Sequence, residues 1–513
     1  MQVKRSIGSI ALFFTAVGSM VGSGWLFGPL LVAQMAGPAG VLSWVIGGIL
    51  TLFIAFTFAE LSTTFPVTGG MVHFAEMSHG SLVSFSMGWM IWLSSVIIAP
   101  IETFAVLQYA ANYIPGIMHA VGTTQMLTHL GLFYALIVMA VMVLLNAFGA
   151  KLFAGSSAVL VVIKLAIPAL IIVALFSLHF DTTNFTSAGF MPNGFKSVMT
   201  ALPLAGVMFS FIGYSTAIQL AGEAKNPQKA IPIAVIGSIT FCILLYVLLQ
   251  TSFIGAIPKD LLTNGWTHLA FKGDAGPIAG LLAGLGVGWL VITTYVSAFV
   301  SPFGTGFLYV AGTARTTYAL SETGFFSKYW QKLNVFGMPL RAMLLNFVVG
   351  MFFFLPFQGW QSLAGFFVVC FIISYSVGPI ALYVLRKTKP NAIRPFRLPM
   401  HQLMCVFAFY ICNLLLLWAG WETIERLIIA SVVGFIVYAW RLMKNEIKAP
   451  ALRWWQSMWI VLYFLGIGLL SYLSSFGGGT GFMPFGWDFV WVAVFSIVVF
   501  FIAVKYHVVE EVQ

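Results

Sequence analysis

The sequence predicts an all-α polytopic membrane protein, and three observations carry that prediction. Its 513 residues are 60% hydrophobic and only 7% charged, a composition that excludes the soluble globular class. Apolar runs long enough to cross a bilayer recur from one end of the chain to the other. The basic residues gather on alternate connections between those runs, as they do in membrane proteins whose cytoplasmic loops are positive.

Fourteen runs qualify: 10–36, 40–65, 82–111, 130–149, 157–179, 199–221, 231–252, 278–313, 341–358, 362–385, 402–420, 424–443, 454–475 and 487–506. The eighth is long enough to continue as a helix into the cytoplasm. An even count places both termini on one side. With the termini cytoplasmic, 19 of the 24 Lys and Arg residues fall on cytoplasmic segments. Lys196, Lys259, Lys272 and Arg426 fall opposite, and Lys164 lies within a span.

The connections read simply. Residues 66–81 carry His73, Glu76 and His79 but lack a third clear metal ligand, so a solvated loop is expected. The external loop 181–198 holds Asn184-Phe185-Thr186, which fits the glycosylation pattern. The cytoplasmic connector with Arg386, Lys387, Lys389, Arg394 and Arg397 suits anionic lipid headgroups and needs no nucleic acid. The four cysteines all sit in apolar runs as small buried hydrophobes. The first run has no small-residue cleavage pattern and leads into further spans, so a separate signal peptide is not expected.

The first span contains Gly18-Ser19-Met20-Val21-Gly22-Ser23-Gly24-Trp25 where a lipid-facing helix would carry leucine or valine. Either the helix is broken there and its freed backbone lines a polar cavity, or the small residues let two helices pack closely. The sixth span repeats the feature over 202–216, with Phe209, Ser210, Phe211, Gly213 and Tyr214 at its centre. Interrupted spans at matching places in two halves point to an inverted-repeat transporter with its site at mid-membrane. Such a site suits a zwitterion. Amides around Ser19, Met20, Gly22, Ser23 and Gly24 can receive a carboxylate, while carbonyls freed around Phe209, Ser210, Phe211 and Gly213 can accept an ammonium. Phe209 or Phe211 is placed to close over the ligand, and Tyr214 and Trp25 to gate or brace it.

Lys164 lies deep in the fifth span, where an ammonium must meet partners or give up its proton. Proton coupling is its expected role, against a structural ion pair. Glu102, in the third span, can carry a proton, balance Lys164 or touch the ligand. Glu60 is either an interface glutamate or a relay member. Glu223 opens the segment Glu223 to Pro232, read as the connector that holds the cytoplasmic end of the sixth span through its charges.

The Gly18 to Trp25 stretch and the Glu223 to Pro232 segment resemble the amino acid/polyamine/organocation (APC) superfamily, within it most closely the bacterial aspartate:proton symporters. The resemblance covers roughly residues 8–400. It implies an APC/LeuT-like five-plus-five inverted repeat with additional C-terminal helices, and a ligand held at the unwound centres of helices one and six. It also implies that Lys164 matches the lysine that stands in place of a sodium site in proton-coupled members. The organisation expected is a cytoplasmic tail 1–9, a first repeat 10–179, a second repeat 199–385, a basic connector 386–401, four further helices over 402–506, and a cytoplasmic tail 507–513.

The expected function is import of an L-amino acid by proton symport and alternating access at the cell membrane. The substrate is aspartate or glutamate, or a neutral amino acid, since no arginine lies mid-span to meet a second carboxylate. The alternative is an amino acid exchanger, or an antiporter of an amino acid with its decarboxylation product. The partners implied are the amino acid, the proton and membrane lipids, without nucleic acid. No cofactor or metal motif appears, and no nucleophile–base arrangement of an enzyme.

Overall fold

The computed structural model describes residues 5, 7–67, 70–121, 124–148, 157–271, 276–355, 357, 359–444 and 454–508. Lys4, Lys151, Lys272, Lys448 and Arg453, used above for orientation, and parts of both tails lie outside the described residues.

The first span is two helices, α1 (Ser9–Met20) and α2 (Gly24–Ala36). The apolar stretch from Gly24 to Thr64 has 41 residues. At 1.5 Å per residue it would reach about 60 Å, twice the hydrocarbon thickness of a bilayer. It divides at Gly37, whose φ of +61° suits glycine, followed by Pro38. The second arm is α3 (Gly40–Thr64). Then come α4 (Gly70–His79), α5 (Ser81–Ala110), a hairpin of β1 (Met118–Val121) and β2 (Thr124–Leu127), α6 (His129–Ala147) and α7 (Ser157–Leu178).

The sixth span is bent by 48° and comprises α8 (Gly194–Leu204), α9 (Val207–Phe211), a 3-10 turn and α10 (Ser215–Gln219). It is followed by α11 (Pro227–Gly255), α12 (Pro277–Gly284), α13 (Gly288–Glu322), α14 (Leu340–Phe352), α15 (Gly359–Tyr375) and α16 (Val377–Thr388). The last spans use α17 (His401–Trp418), α18 (Trp421–Met443), the short α19 (Trp454–Ser457), α20 (Trp459–Leu473) and α21 (Trp487–Lys505).

Among the described residues, eleven helical stretches are long and apolar enough to cross a membrane, and the bent pair makes a twelfth. Dividing the Gly24–Thr64 stretch and counting the short α14 brings the total to the fourteen read from the sequence. The eighth span differs from expectation. Its helix starts at Gly288 instead of 278, because Pro277–Gly284 is a separate helix ended by the turn at Leu285 to Val287. α13 has 35 residues, more than a bilayer crossing needs.

The packing repeats under a shift of five spans. The first span meets the seventh through α1 and α11, and the sixth meets the second through α8, α9 and α3. Likewise α1 touches α7 while α8 and α9 touch α15, and α7 touches α13 while α15 touches α5. The third and tenth spans are almost wholly buried. By contrast α6, α7, α18 and α21 turn Phe133, Leu144, Val173, Ile436 and Trp491 outward, as lipid-facing surfaces do.

Two connections correct the sequence reading. The expected loop at 66–81 contains α4, which buries Met71, Phe74, Ala75 and Ser78 against the bundle because those residues share one helical face. Its His79 is fully buried, with Nε2 3.0 Å from the Ala503 carbonyl, so the ring faces the protein core and not solvent. Asn184 is also fully buried, and its Nδ2 donates to the carbonyls of Ile254, Gly255 and Ile257. That amide is spent on the end of α11 and is closed to glycosylation in the folded protein.

Glu60 is an interface residue. It lies at the end of α3, wholly buried, and accepts from Arg386 at 2.7 and 2.6 Å and from the Leu398 amide at 2.7 Å. Removing one partner of a buried pair strands the other charge, which costs about 3–5 kcal/mol. Glu60→Ala is therefore expected to lower the unfolding midpoint of the detergent-purified protein sharply. Replacing Glu60 and Arg386 together by apolar residues should recover most of the loss.

Candidate functional site

A helix interrupted in a membrane leaves backbone groups that water cannot reach, each costing about 1–3 kcal/mol if left unpaired. Between Met20 and Gly24 the chain leaves helical geometry at Val21, with φ −89° and ψ 79°. Four other spans supply the missing partners. Lys164, on α7, donates from Nζ to the Gly18 carbonyl at 3.1 Å and to Thr305 Oγ1 at 2.6 Å. The Tyr246 hydroxyl, on α11, donates to the Met20 carbonyl at 2.9 Å. Ser301 Oγ, on α13, donates to the Val21 carbonyl at 3.0 Å. On the other side of the break, the Ser23 amide donates to the two oxygens of Glu102, on α5, at 3.1 and 3.3 Å.

The charges match the half-helix ends they touch. Lys164 meets the carbonyl end of α1 and Glu102 meets the amide end of α2, which are the negative and positive poles of the two helix dipoles. Both side chains are buried, at 3% and 0% exposure. They interact across the break without forming a direct ion pair.

The small residues serve both purposes weighed above: they permit the break and they let backbones meet. A Cβ on Gly22 would stand 2.5 Å from Glu102 Oε1. One on Gly24 would strike Ser210 Oγ, and one on Gly213 would strike the backbone of Ser19 and Met20. Gly213 is thus where the sixth span rests directly on the first.

The sixth span does not open where the sequence suggested. Residues 209–211 are helical, and the break falls at Ala205 and Gly206, with a tightening to 3-10 geometry at Ile212–Tyr214. Gly206 has φ +85°, and the Trp360 ring fills the place a Cβ would need. The sequence drew attention to the cluster of polar and aromatic residues, whereas the glycine with freedom for a left-handed turn lay just before it.

Ser19, Met20, Gly22, Glu102, Phe209 and Gly213 line one small cavity with Ile98, Ile212, Tyr309 and Phe367. Its volume is about 10 Å³, room for roughly one water. Phe209 forms part of its wall and packs edge-on against Trp360 at 5.3 Å and Phe367 at 5.4 Å. Trp360 in turn donates to Ser23 Oγ at 2.9 Å and stacks on Phe27 at 5.0 Å.

Other expected residues lie apart from the cavity. Phe211 packs on Trp44 and Tyr246, and Tyr214 packs on Phe371 and Tyr375. Trp25 is fully buried behind the break, while Ser210 turns back to the Gly206 carbonyl beside Gly24. Glu223 stands well below, and its backbone rather than its charge makes the tie: Ile7 donates to its carbonyl at 3.0 Å, and Lys225 donates to Ile7 at 2.9 Å. Among the described residues no group of three or more His, Cys, Asp or Glu is placed to hold a metal.

Sequence reasoning missed Ser301, Thr305 and Tyr309, which sit four apart on α13 and face the break together. It also missed Tyr246 and Gln250, four apart on α11; Gln250 bonds the Pro29 carbonyl at 3.1 Å and receives Trp44 at 2.8 Å. A polar residue recurring every fourth position inside an apolar run was the available signal.

The family model described as "Amino acid permease" matches residues 7–438. A glutamate/serine transporter of Bacillus subtilis (strain 168), AimA, is 38% identical, over 98% of this chain and 94% of its own. The aspartate-proton symporter of the same organism is 31% identical, over 97% and 96%. The branched-chain amino acid permease BcaP, also from that organism, is 26% identical over 85% and 93%.

Two glycine substitutions test the contact between the broken spans. Gly213→Ala should lower the unfolding midpoint in detergent, because the obstruction is backbone and cannot turn aside. Gly312→Ala, in the exposed body of α13 with open space around it, should leave the midpoint unchanged or raise it by the about 0.5–1 kcal/mol that alanine gains in a helix. Equal effects at both positions would count against a close backbone contact.

Proposed function

The chain belongs to the amino acid permease family, and we propose that it imports an L-amino acid into the cell by proton symport and alternating access. It is a multi-pass membrane protein of a family of transporters rather than enzymes. The observation that carries the finer reading is the Glu102 carboxylate on the Ser23 amide, at the positive end of α2.

That amide end is also the natural seat for a substrate carboxylate. Two carboxylates cannot share it while both are charged. Protonation of Glu102 makes it a weaker acceptor and leaves the Ser23 amide to the substrate; substrate departure lets Glu102 ionise and return. Proton and amino acid are then linked by competition for one donor. Lys164 holds the other side of the break, tying the end of α1 to Thr305 of α13. A proton lost from Lys164 weakens that tie, which gives α1 freedom to move against α13.

The cavity of about 10 Å³ is too small for an amino acid, so admission requires movement of Phe209 and its half-helix. Acidic substrates and serine are supported by the names of two relatives, a glutamate/serine transporter and an aspartate-proton symporter. The Ile98, Phe209, Tyr309 and Phe367 walls favour a neutral or protonated side chain over a second exposed carboxylate. The reading further places both termini in the cytoplasm of a cell-membrane protein. It takes residues 10–179 and 199–385 as the two repeats, followed by four helices over 402–506.

Uptake of labelled glutamate, aspartate and serine into proteoliposomes under an inward proton gradient is the direct test. Accumulation should collapse with a protonophore. Lys164→Ala should reduce it by about tenfold or more, since loss of paired buried groups of about 1–3 kcal/mol each disrupts the break. Glu102→Gln should retain exchange of internal for external substrate while losing gradient-driven accumulation. Flux only with counter-substrate inside the vesicles, indifferent to the gradient in the parent protein, would make it an exchanger instead.

A further inference from the structure

A cavity on the basic connector has no part in the mid-membrane site. It encloses about 510 Å³ and is lined by Tyr383, Arg386, Lys387, Arg394, Arg397 and His401, with Pro390, Ala392 and Gln402 completing the wall. That volume is within the range of small-molecule sites, about 300–1,000 Å³. Four of its lining residues are Lys or Arg, and the carboxylate that faces them is Glu60.

The cations divide into two kinds. Arg386 closes its fork on Glu60 and the Leu398 carbonyl. Arg394 lies 3.5 Å from Glu60 and folds its remaining donors onto the carbonyls of Leu385, Lys389, Pro390 and Ala392. These two shape the loop. Lys387 and Arg397 are exposed and have no hydrogen-bond or ion-pair partner among the described residues. The pocket therefore keeps two uncommitted cations beside two whose charge one carboxylate only partly balances.

A further donor source adjoins them. α17 begins at His401, and its first turn has no side-chain cap, because Met400 occupies the capping position in a left-handed conformation at φ +43°. Uncapped amides at a helix start favour an anion. Together these features describe a preformed receptor for a compact, multiply charged oxyanion at the membrane face.

We propose that this pocket binds a phosphate-bearing anion, with Lys387 and Arg397 as its principal contacts. The phosphate is carried either by an inner-leaflet lipid or by a soluble molecule, and both offer the same chemistry to the guanidinium and ammonium groups. The wall that holds it contains the Glu60–Arg386 tie between α3 and α16, so occupancy acts on a joint between two membrane spans. The proposal does not rest on the transport reading.

The experiment uses the full-length protein in nanodiscs of phosphatidylcholine alone, and of equal parts phosphatidylcholine and phosphatidylglycerol. Pyrophosphate serves as the soluble probe in the first, and sodium chloride of matched ionic strength as the control. Binding is read by calorimetry and by the unfolding midpoint, for the parent protein and for Lys387→Gln with Arg397→Gln. Because both residues are exposed and uncommitted, the double variant should fold as the parent does; an unshifted midpoint in phosphatidylcholine alone checks this. Pyrophosphate binding that weakens about tenfold or more in the variant supports a soluble anion, as loss of two charge-assisted contacts requires. A midpoint raised by phosphatidylglycerol in the parent and not in the variant supports a lipid phosphate. Absence of both effects, equal effects in the variant, or reproduction by chloride would overturn the proposal.

Discussion

Everything at the centre of this protein follows from one requirement: a backbone opened inside a membrane must find partners for the groups it frees. The break in the first span exposes carbonyls at Gly18, Met20 and Val21 and an amide at Ser23. Each is met by a side chain from a different place, Lys164, Tyr246, Ser301 and Glu102. The opening is therefore held by the fifth, seventh, eighth and third spans together. Had those side chains been apolar, the same glycines would leave several unpaired polar groups in a region without water.

Satisfying the break with charged groups makes it more than a structural repair. A neutral donor can cap Met20 or Val21 indefinitely, as Tyr246 and Ser301 do. An ammonium and a carboxylate make stronger hydrogen bonds when ionised than when neutral, so the charge on Lys164 and Glu102 bears on how firmly the two half-helix ends are held. The aromatic cluster beside the break is joined to the same residues, since Trp360 donates to Ser23 Oγ and packs against Phe209. The small cavity, the two ionisable side chains and the aromatic cluster thus share a few residues around Ser23.

The end of the bundle near Ile7 is tied by different means. Ile7 pairs through its backbone with Glu223 and Lys225, so the chain ahead of α1 is joined to the chain after α10. The two interrupted spans are coupled at their lower ends as well as at Gly213. Nearby, Glu60 gathers Arg386 and the Leu398 amide, fastening the connector after α16 to the end of α3. Basic residues that looked like an undifferentiated headgroup patch separate into loop-shaping and uncommitted cations once their partners are seen.

Much of this was legible in the amino-acid order, because hydropathy and charge act locally and need no partner. The fourteen spans, the interruption at Ser19 to Gly24, and the isolation of Lys164 in an apolar run could all be read directly. The conformational freedom of glycine could be read too, but not which glycine used it. Gly206 rather than Phe209 to Gly213 carries the second break, since Trp360 from a distant span occupies the space that fixes the turn. Asn184 matched a modification pattern and proved to be buried, a fact set by carbonyls some seventy residues away. Only the folded chain decided that Glu102 would occupy the Ser23 amide and Lys164 the Gly18 carbonyl. The sequence determines which groups are too costly to leave alone in a membrane; the tertiary structure decides their partners, because hydrogen bonds act over about 3 Å and the residues they join lie on different helices.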